Sequence, residues 1–147
     1  MHMAKIGIIG AGSWGIALSV LLHNNGHEIT VWSILEDEIN MLKTEHEHKD
    51  KLPGVKLPED MIFTTSLPEA IEGKDILVLA VPSPFTRSTS HNMKPYVADG
   101  QIIVNVAKGI EEHTLMTLSQ IIEEEVPQAN VAVLSGPSHA EEVGRGI

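Results

Sequence analysis

The stretch that decides the fold is Lys5-Ile6-Gly7-Ile8-Ile9-Gly10-Ala11-Gly12-Ser13-Trp14-Gly15. A short apolar run, Ile6 to Ile9, passes straight into Gly10-x-Gly12-x-x-Gly15. A strand is expected over that run. Ser13 to Asn25 reads as a helix with Ile16, Ala17, Val20 and Leu21 on one face, stopped by Asn24-Asn25-Gly26. Glu28 to Trp32 reads as a second strand. Strand, glycine turn, helix and second strand together are the context in which such a glycine spacing carries meaning. Gly10 permits a tight turn, Gly12 lets a diphosphate approach the backbone, and Gly15 lets helix and strand pack closely. The amides opening the helix then hold the anion, aided by the helix dipole.

The same rhythm continues outward. Glu36 to Glu47 reads as a helix with Ile39 and Leu42 inward, and Asp50 to Asp60, with Pro53, Gly54 and Pro58, as an irregular excursion. A short strand follows at Ile62 to Thr64 and a helical turn at Leu67 to Glu72. Asp75 to Val81 is almost wholly apolar, the mark of a strand buried on both faces, and Ile102 to Ala107 and Val131 to Leu134 share that character. Thr114 to Glu125 places Leu115, Leu118, Ile121 and Ile122 at helical spacing. Strands alternating with helices predict an α/β fold, Rossmann-like and doubly wound, with a mainly parallel sheet and helices on both faces.

The chain has 147 residues, one domain's worth, and 42% of them are hydrophobic, which excludes wholesale disorder. Aromatics make up only 3%, so the core must rest on Ile, Val, Leu, Ala and Met. Twenty acidic residues against ten basic ones, a formal charge of −10, oppose binding to nucleic acid or to an anionic membrane surface. The absence of cysteine excludes disulfides and thiolate metal sites. No apolar run approaches the ~18–20 residues that span a bilayer, and the N-terminal apolar run, followed at once by glycines, is not a signal peptide.

Ligands in an open α/β sheet lie beyond the carboxyl ends of the strands. Four such ends carry candidates. At Ser33-Ile34-Leu35 neither the acid expected for a ribose nor the arginine expected for a 2′-phosphate is present; Glu36 and Asp37 come slightly late and read equally as charge at a helix start. The cofactor is NAD or NADP, with a lean to NAD because no cation is close. Pro82-Ser83-Pro84 stiffens the next loop and carries Phe85, either a cofactor contact or a core residue under the following helix. Lys108 would face the same crevice and donate to a substrate oxygen or phosphate. Ser135-Gly136-Pro137-Ser138-His139-Ala140 closes the last strand with small residues and hydroxyls; no elbow motif surrounds Ser135, and His139 is either a proton donor or a packing residue. His46-x-His48, in a charged stretch, reads as a solvated face rather than a metal site.

Gly10-Ala11-Gly12-Ser13-Trp14-Gly15, Val81-Pro82-Ser83-Pro84-Phe85, Ala107-Lys108-Gly109 and Ser135 to Val143, in this order and spacing, resemble bacterial NAD(P)-dependent glycerol-3-phosphate dehydrogenase. The resemblance covers nearly the whole chain. It implies hydride transfer that reduces dihydroxyacetone phosphate to sn-glycerol 3-phosphate for phospholipid synthesis, in a cytoplasmic enzyme that is a homodimer at full length. By position, Gly10, Gly12 and Gly15 would form the phosphate turn, and Ser13, Trp14, Ile34, Phe85, Lys108 and Ala140 would contact the cofactor. Lys108, Gly136 and Ser138 would meet the substrate, with Lys108 as the catalytic group that stabilises charge on the substrate oxygen. Ile34 or Leu35 stands where the family often carries a basic residue, a departure that favours NAD. The family also implies a helical C-terminal domain that supplies the proton-transferring lysine, so residues 1–147 are expected to be the dinucleotide-binding part of a longer enzyme. The rival readings are a related dehydrogenase for another substrate, such as a 3-hydroxy acid or 6-phosphogluconate, and a non-catalytic dinucleotide sensor.

Overall fold

The computed structural model of the chain describes residues 3–133. Six strands lie in one sheet: β1 (Lys5–Ile9), β2 (Glu28–Trp32), β3 (Ile62–Thr64), β4 (Ile76–Leu79), β5 (Ile102–Asn105) and β6 (Asn130–Val133). Their order is β3-β2-β1-β4-β5-β6 and every pairing is parallel. The doubly wound expectation is therefore met, and the strand order reverses between β1 and β4. Five helices connect the strands: α1 (Ser13–Asn24), α2 (Glu36–Glu45), α3 (Leu67–Ile71), α4 (Thr86–Met93) and α5 (Leu118–Glu125).

Successive strand side chains point to opposite faces, so one sheet feeds two cores. Ile6, Ile8, Ile29 and Val31 pack with Ile16, Ala17 and Val20 of α1 and Ile39 and Leu42 of α2. Ile9, Leu77, Leu79 and Ile103 face the other way, against Ile71, Met93 and Ile122. Both cores are aliphatic apart from Phe63 in the first and Trp32 in the second, as the scarcity of aromatics requires. Gly7 is the exception within β1. A Cβ there would lie 2.0 Å from the Ala70 carbonyl oxygen, so the glycine is what lets α3 lie directly on the strand.

Several expectations need correction. The last helix starts at Leu118, not Thr114. Thr117 accepts a hydrogen bond from the Gln120 amide while the Gln120 side chain accepts from the Thr117 amide; this reciprocal cap sets the boundary. Leu115 falls in the turn before it, with φ of 60° and 70% exposure, and is no core residue. The helix after β2 stops at Glu45 because His46 adopts a left-handed conformation, φ 51°. The strand at Val131 is not buried on both faces: β6 begins at Asn130, ends the strand order, and leaves Val133 60% exposed. Of this strand Val131 alone reaches a core, packing partly buried against the second.

The sequence reading gave no bounds for α4, whose sequence Thr-Arg-Ser-Thr-Ser-His-Asn-Met is poor in strong helix formers. Packing supports it instead: Thr86, Thr89, Ser90 and Met93 are buried. Among the described residues no helix is long and apolar enough to cross a membrane.

Candidate functional site

The carboxyl ends of β1, β2, β4 and β5 open onto one cleft of about 1210 Å³. It receives Gly10 to Trp14 from the first turn, Ser33 to Leu35 from the second, Val81 to Ser83 and Phe85 from the third, and Val106 to Lys108 from the fourth. Sequence positions spread over almost a hundred residues thus meet at the point where the strand order reverses.

The glycine turn is built from backbone requirements. Gly10 has φ of +122°, and a Cβ there would meet the Ala80 backbone at 2.8 Å. A Cβ on Gly15 would come within 2.1 Å of the Gly10 carbonyl oxygen, so the first turn of α1 can close on the strand end only if that residue is glycine. Gly12 differs: nothing lies within 4 Å of its would-be Cβ, and its φ of −76° is one any residue adopts. The space above it is open. The first amide to bond within α1 is that of Ile16, to the Gly12 carbonyl at 2.9 Å. The amides of Ser13, Trp14 and Gly15 precede it, and no side chain caps them. Open space over uncapped helix-start amides fits the diphosphate of a dinucleotide.

The end of β2 is more elaborate than its sequence suggests. Ser33 donates its hydroxyl to Glu38 Oε1 at 2.6 Å and accepts from the Leu35 amide at 3.1 Å. Glu38 Oε2 meets His48 Nε2 at 2.6 Å and Lys51 Nζ at 3.3 Å. Burial pushes the Glu38 carboxyl up, but the Ser33 hydroxyl, the His48 ring and Lys51 together outweigh it and hold the carboxyl below its ordinary value. Glu38 was missed because it is third in the run Glu36-Asp37-Glu38, which reads as helix-start charge; Glu36 and Asp37 are indeed exposed there.

Two further corrections follow. His48 is not on a solvated face but 2% exposed, while the His46 ring stands edge-on to Phe63. And a cation is close to this strand end, namely Lys51, which lines the cleft beside Ser33, Ile34 and Glu38. The loop that carries it is tied to the glycine turn as well, since Ser13 donates its hydroxyl to the Lys51 carbonyl at 2.7 Å.

Phe85 ends a short 3-10 turn, Ser83–Phe85, and is 57% exposed on the cleft wall, so it is not a core residue under α4. Ile34 is likewise exposed on the wall. Trp14 lines the cleft, as does Trp32, whose ring nitrogen donates to the Thr65 carbonyl at 3.0 Å. Lys108 is exposed at the far side. Just before it, the Asn105 side chain clasps Ala107 through both its carbonyl and its amide, at 3.3 and 3.2 Å. Gly136, Ser138, His139 and Ala140 lie outside the described residues.

Residues 5–147 match the family described as NAD-dependent glycerol-3-phosphate dehydrogenase N-terminus. The glycerol-3-phosphate dehydrogenase (NAD(P)+) of Agathobacter rectalis is 66% identical over 143 residues, covering 97% of this chain and 43% of the relative. That of Fusobacterium nucleatum is 58% identical over 147 residues, covering 99% of this chain and 44% of the relative. Among solved structures, glycerol-3-phosphate dehydrogenase from Coxiella burnetii superposes with a TM-score of 0.91 at 30% identity, over 99% of this chain and 44% of that one. The chain spans less than half the length of these relatives.

Proposed function

Since the chain belongs to the NAD-dependent glycerol-3-phosphate dehydrogenase N-terminal family, we propose that it is the dinucleotide-binding part of an oxidoreductase that reduces dihydroxyacetone phosphate to sn-glycerol 3-phosphate. The single observation that carries this reading is one cleft holding both the open helix-start amides after Gly12 and the exposed Lys108. The first suits a diphosphate and the second a substrate oxyanion.

Each residue then has a task. The amides of Ser13, Trp14 and Gly15 hold the diphosphate. Ile34 and Leu35 offer an apolar wall for the adenosine. When bound, the reduced nicotinamide supplies the hydride that the ketone carbon gains. As that carbon is reduced, negative charge gathers on its oxygen, and the Lys108 ammonium stabilises it. Gly136 and Ser138 are proposed to meet the substrate and Ala140 the cofactor. A C-terminal domain is proposed to supply the proton through a lysine and to complete the substrate phosphate site. The full-length protein is proposed to be a cytoplasmic homodimer feeding glycerophospholipid synthesis.

NADH is the proposed preference. The β2 end carries three carboxylates, Glu36, Asp37 and Glu38, against the one ammonium of Lys51. A 2′-phosphate would enter a field of its own sign.

Titration with NADH and NADPH, read through Trp14 and Trp32 fluorescence, tests the cofactor half. Dihydroxyacetone phosphate reduction by the full-length protein and by its Lys108→Ala variant tests the rest. Dinucleotide binding kept while activity is lost is the expected result. A variant as active as the wild type would remove Lys108 from the reaction, and binding without any reduction would favour a sensor.

A further inference from the structure

Lys108 sits at the start of a long excursion, residues 106–117, that leaves β5 and returns to α5 with one isolated bridge, Ile110 to Thr117. Such a loop sets the position of an exposed ammonium only if something fixes the loop. Glu111, three residues beyond Lys108, is its knot. The Glu111 amide donates to the Met116 carbonyl at 2.9 Å, and the Leu115 amide donates to the Glu111 carbonyl at 2.7 Å. The Thr114 hydroxyl donates to Glu111 Oε1 at 2.6 Å.

That knot is tethered to α4 and α5. Arg87, two residues after Phe85, meets both Glu111 oxygens, Nε to Oε2 at 2.8 Å and Nη2 to Oε1 at 2.9 Å. Its remaining arm, Nη1, donates to Glu124 and Glu125 of α5, each at 2.6 Å. A planar fork gripping a carboxylate through two parallel bonds fixes direction as well as distance. On the other side of Lys108, Asn105 clasps Ala107, and a Cβ on Gly109 would stand 3.7 Å from Ser83. Lys108 is thus suspended between two anchors, and the one beyond it, Glu111, is held by Arg87 of α4, the helix that follows Phe85. Arg87 itself is fully engaged by carboxylates and does not line the cleft.

We infer that Arg87, through Glu111, is a positioning residue for Lys108, setting the spacing between the Phe85 and Lys108 walls of the cleft. The inference rests on the role proposed for Lys108 and adds a residue that never touches the ligand.

The test is a double-mutant cycle in the full-length protein, with Arg87→Ala, Glu111→Gln and Lys108→Ala alone and combined. Arg87→Ala and Glu111→Gln are expected to lower kcat for dihydroxyacetone phosphate tenfold or more. The cofactor KM should stay within about threefold, because neither Arg87 nor Glu111 lines the cleft. In the Lys108→Ala background the same changes should cost less than twofold, since the group they position is gone. Glu111→Gln leaves Arg87 its partners on α5, so it serves where Arg87→Ala does not fold. Equal losses in both backgrounds, or unchanged kcat, would overturn the inference while leaving the proposed function standing. An active Lys108→Ala variant would overturn both.

Discussion

Glu38 and His48 meet at 2.6 Å with almost no exposure, ten positions apart in the chain, at the end of the second strand. Together with Ser33 and Lys51 they occupy both carboxylate oxygens of Glu38. Three of the roughly four acceptor sites of this carboxylate are therefore taken within the cluster. It acts by holding the Lys51 charge.

Cofactor choice should follow from that arrangement. Glu38→Gln removes one negative charge and releases Lys51, so affinity for NADPH should rise several-fold relative to NADH. Lys51→Met should move the ratio the other way. Competitive binding of 2′,5′-ADP and 5′-AMP measures the ratio directly. Unchanged ratios in both variants would mean that the adenosine ribose lies elsewhere.

Two glycines of one turn should behave differently. Gly15→Ala would force a Cβ to 2.1 Å from the Gly10 carbonyl and should unfold or strongly destabilise the domain. Gly12→Val enters open space at an ordinary φ and should leave the melting temperature within a few degrees. It should nonetheless cut dinucleotide affinity at least tenfold, because the side chain would stand where the diphosphate must reach the amides. Full affinity in a folded Gly12→Val protein would refute the diphosphate site.

Acid should loosen the tether at Arg87. The Arg87 guanidinium, and after it the Thr114 hydroxyl, lower the Glu111 carboxyl from an ordinary 4.5 to about 2. The unfolded chain thus binds the extra proton first as pH falls, so stability from this group is complete above about 4.5 and is lost on the way to about 2. Melting temperatures from pH 7 to pH 2 should show the gap between wild type and Glu111→Gln shrinking through that window. A gap independent of pH would contradict the assignment.

The cap on α5 gives a further check. Thr117→Ala removes the hydroxyl that accepts from the Gln120 amide. A loss of about 1 kcal/mol is expected, the usual cost of an N-cap. Urea unfolding would measure it. Since the helix also carries Glu124 and Glu125, fraying from this end should leave the Arg87 contacts largely intact.

The strands were legible because their cause is local. Ile6 to Ile9 and Ile102 to Val104 are apolar on both faces, and only a covered parallel strand tolerates that. Two of the corrected elements had causes that periodicity does not carry. Leu115 keeps the helical spacing, but the Thr117–Gln120 cap overrides it. Val131 to Leu134 looks like a central strand, but among the described residues β6 stands at the end of the strand order. α4 went without bounds because its Ser and Thr residues say little until Met93 and the Arg87 contacts to α5 are in place.

By itself, the sequence determined the turn after β1, since the positive φ of Gly10 and the clash of a Gly15 Cβ with the Gly10 carbonyl are set within a few residues, and it determined the two-faced sheet through the apolar runs. It also located the strand ends on which Phe85 and Lys108 lie. Only the tertiary structure decided what surrounds those ends: that Glu38, His48 and Lys51 close on Ser33, and that Arg87 reaches across 24 positions to Glu111. Charge pairing of this kind depends on distance in space, and residues far apart in sequence acquire that distance only when the chain is folded.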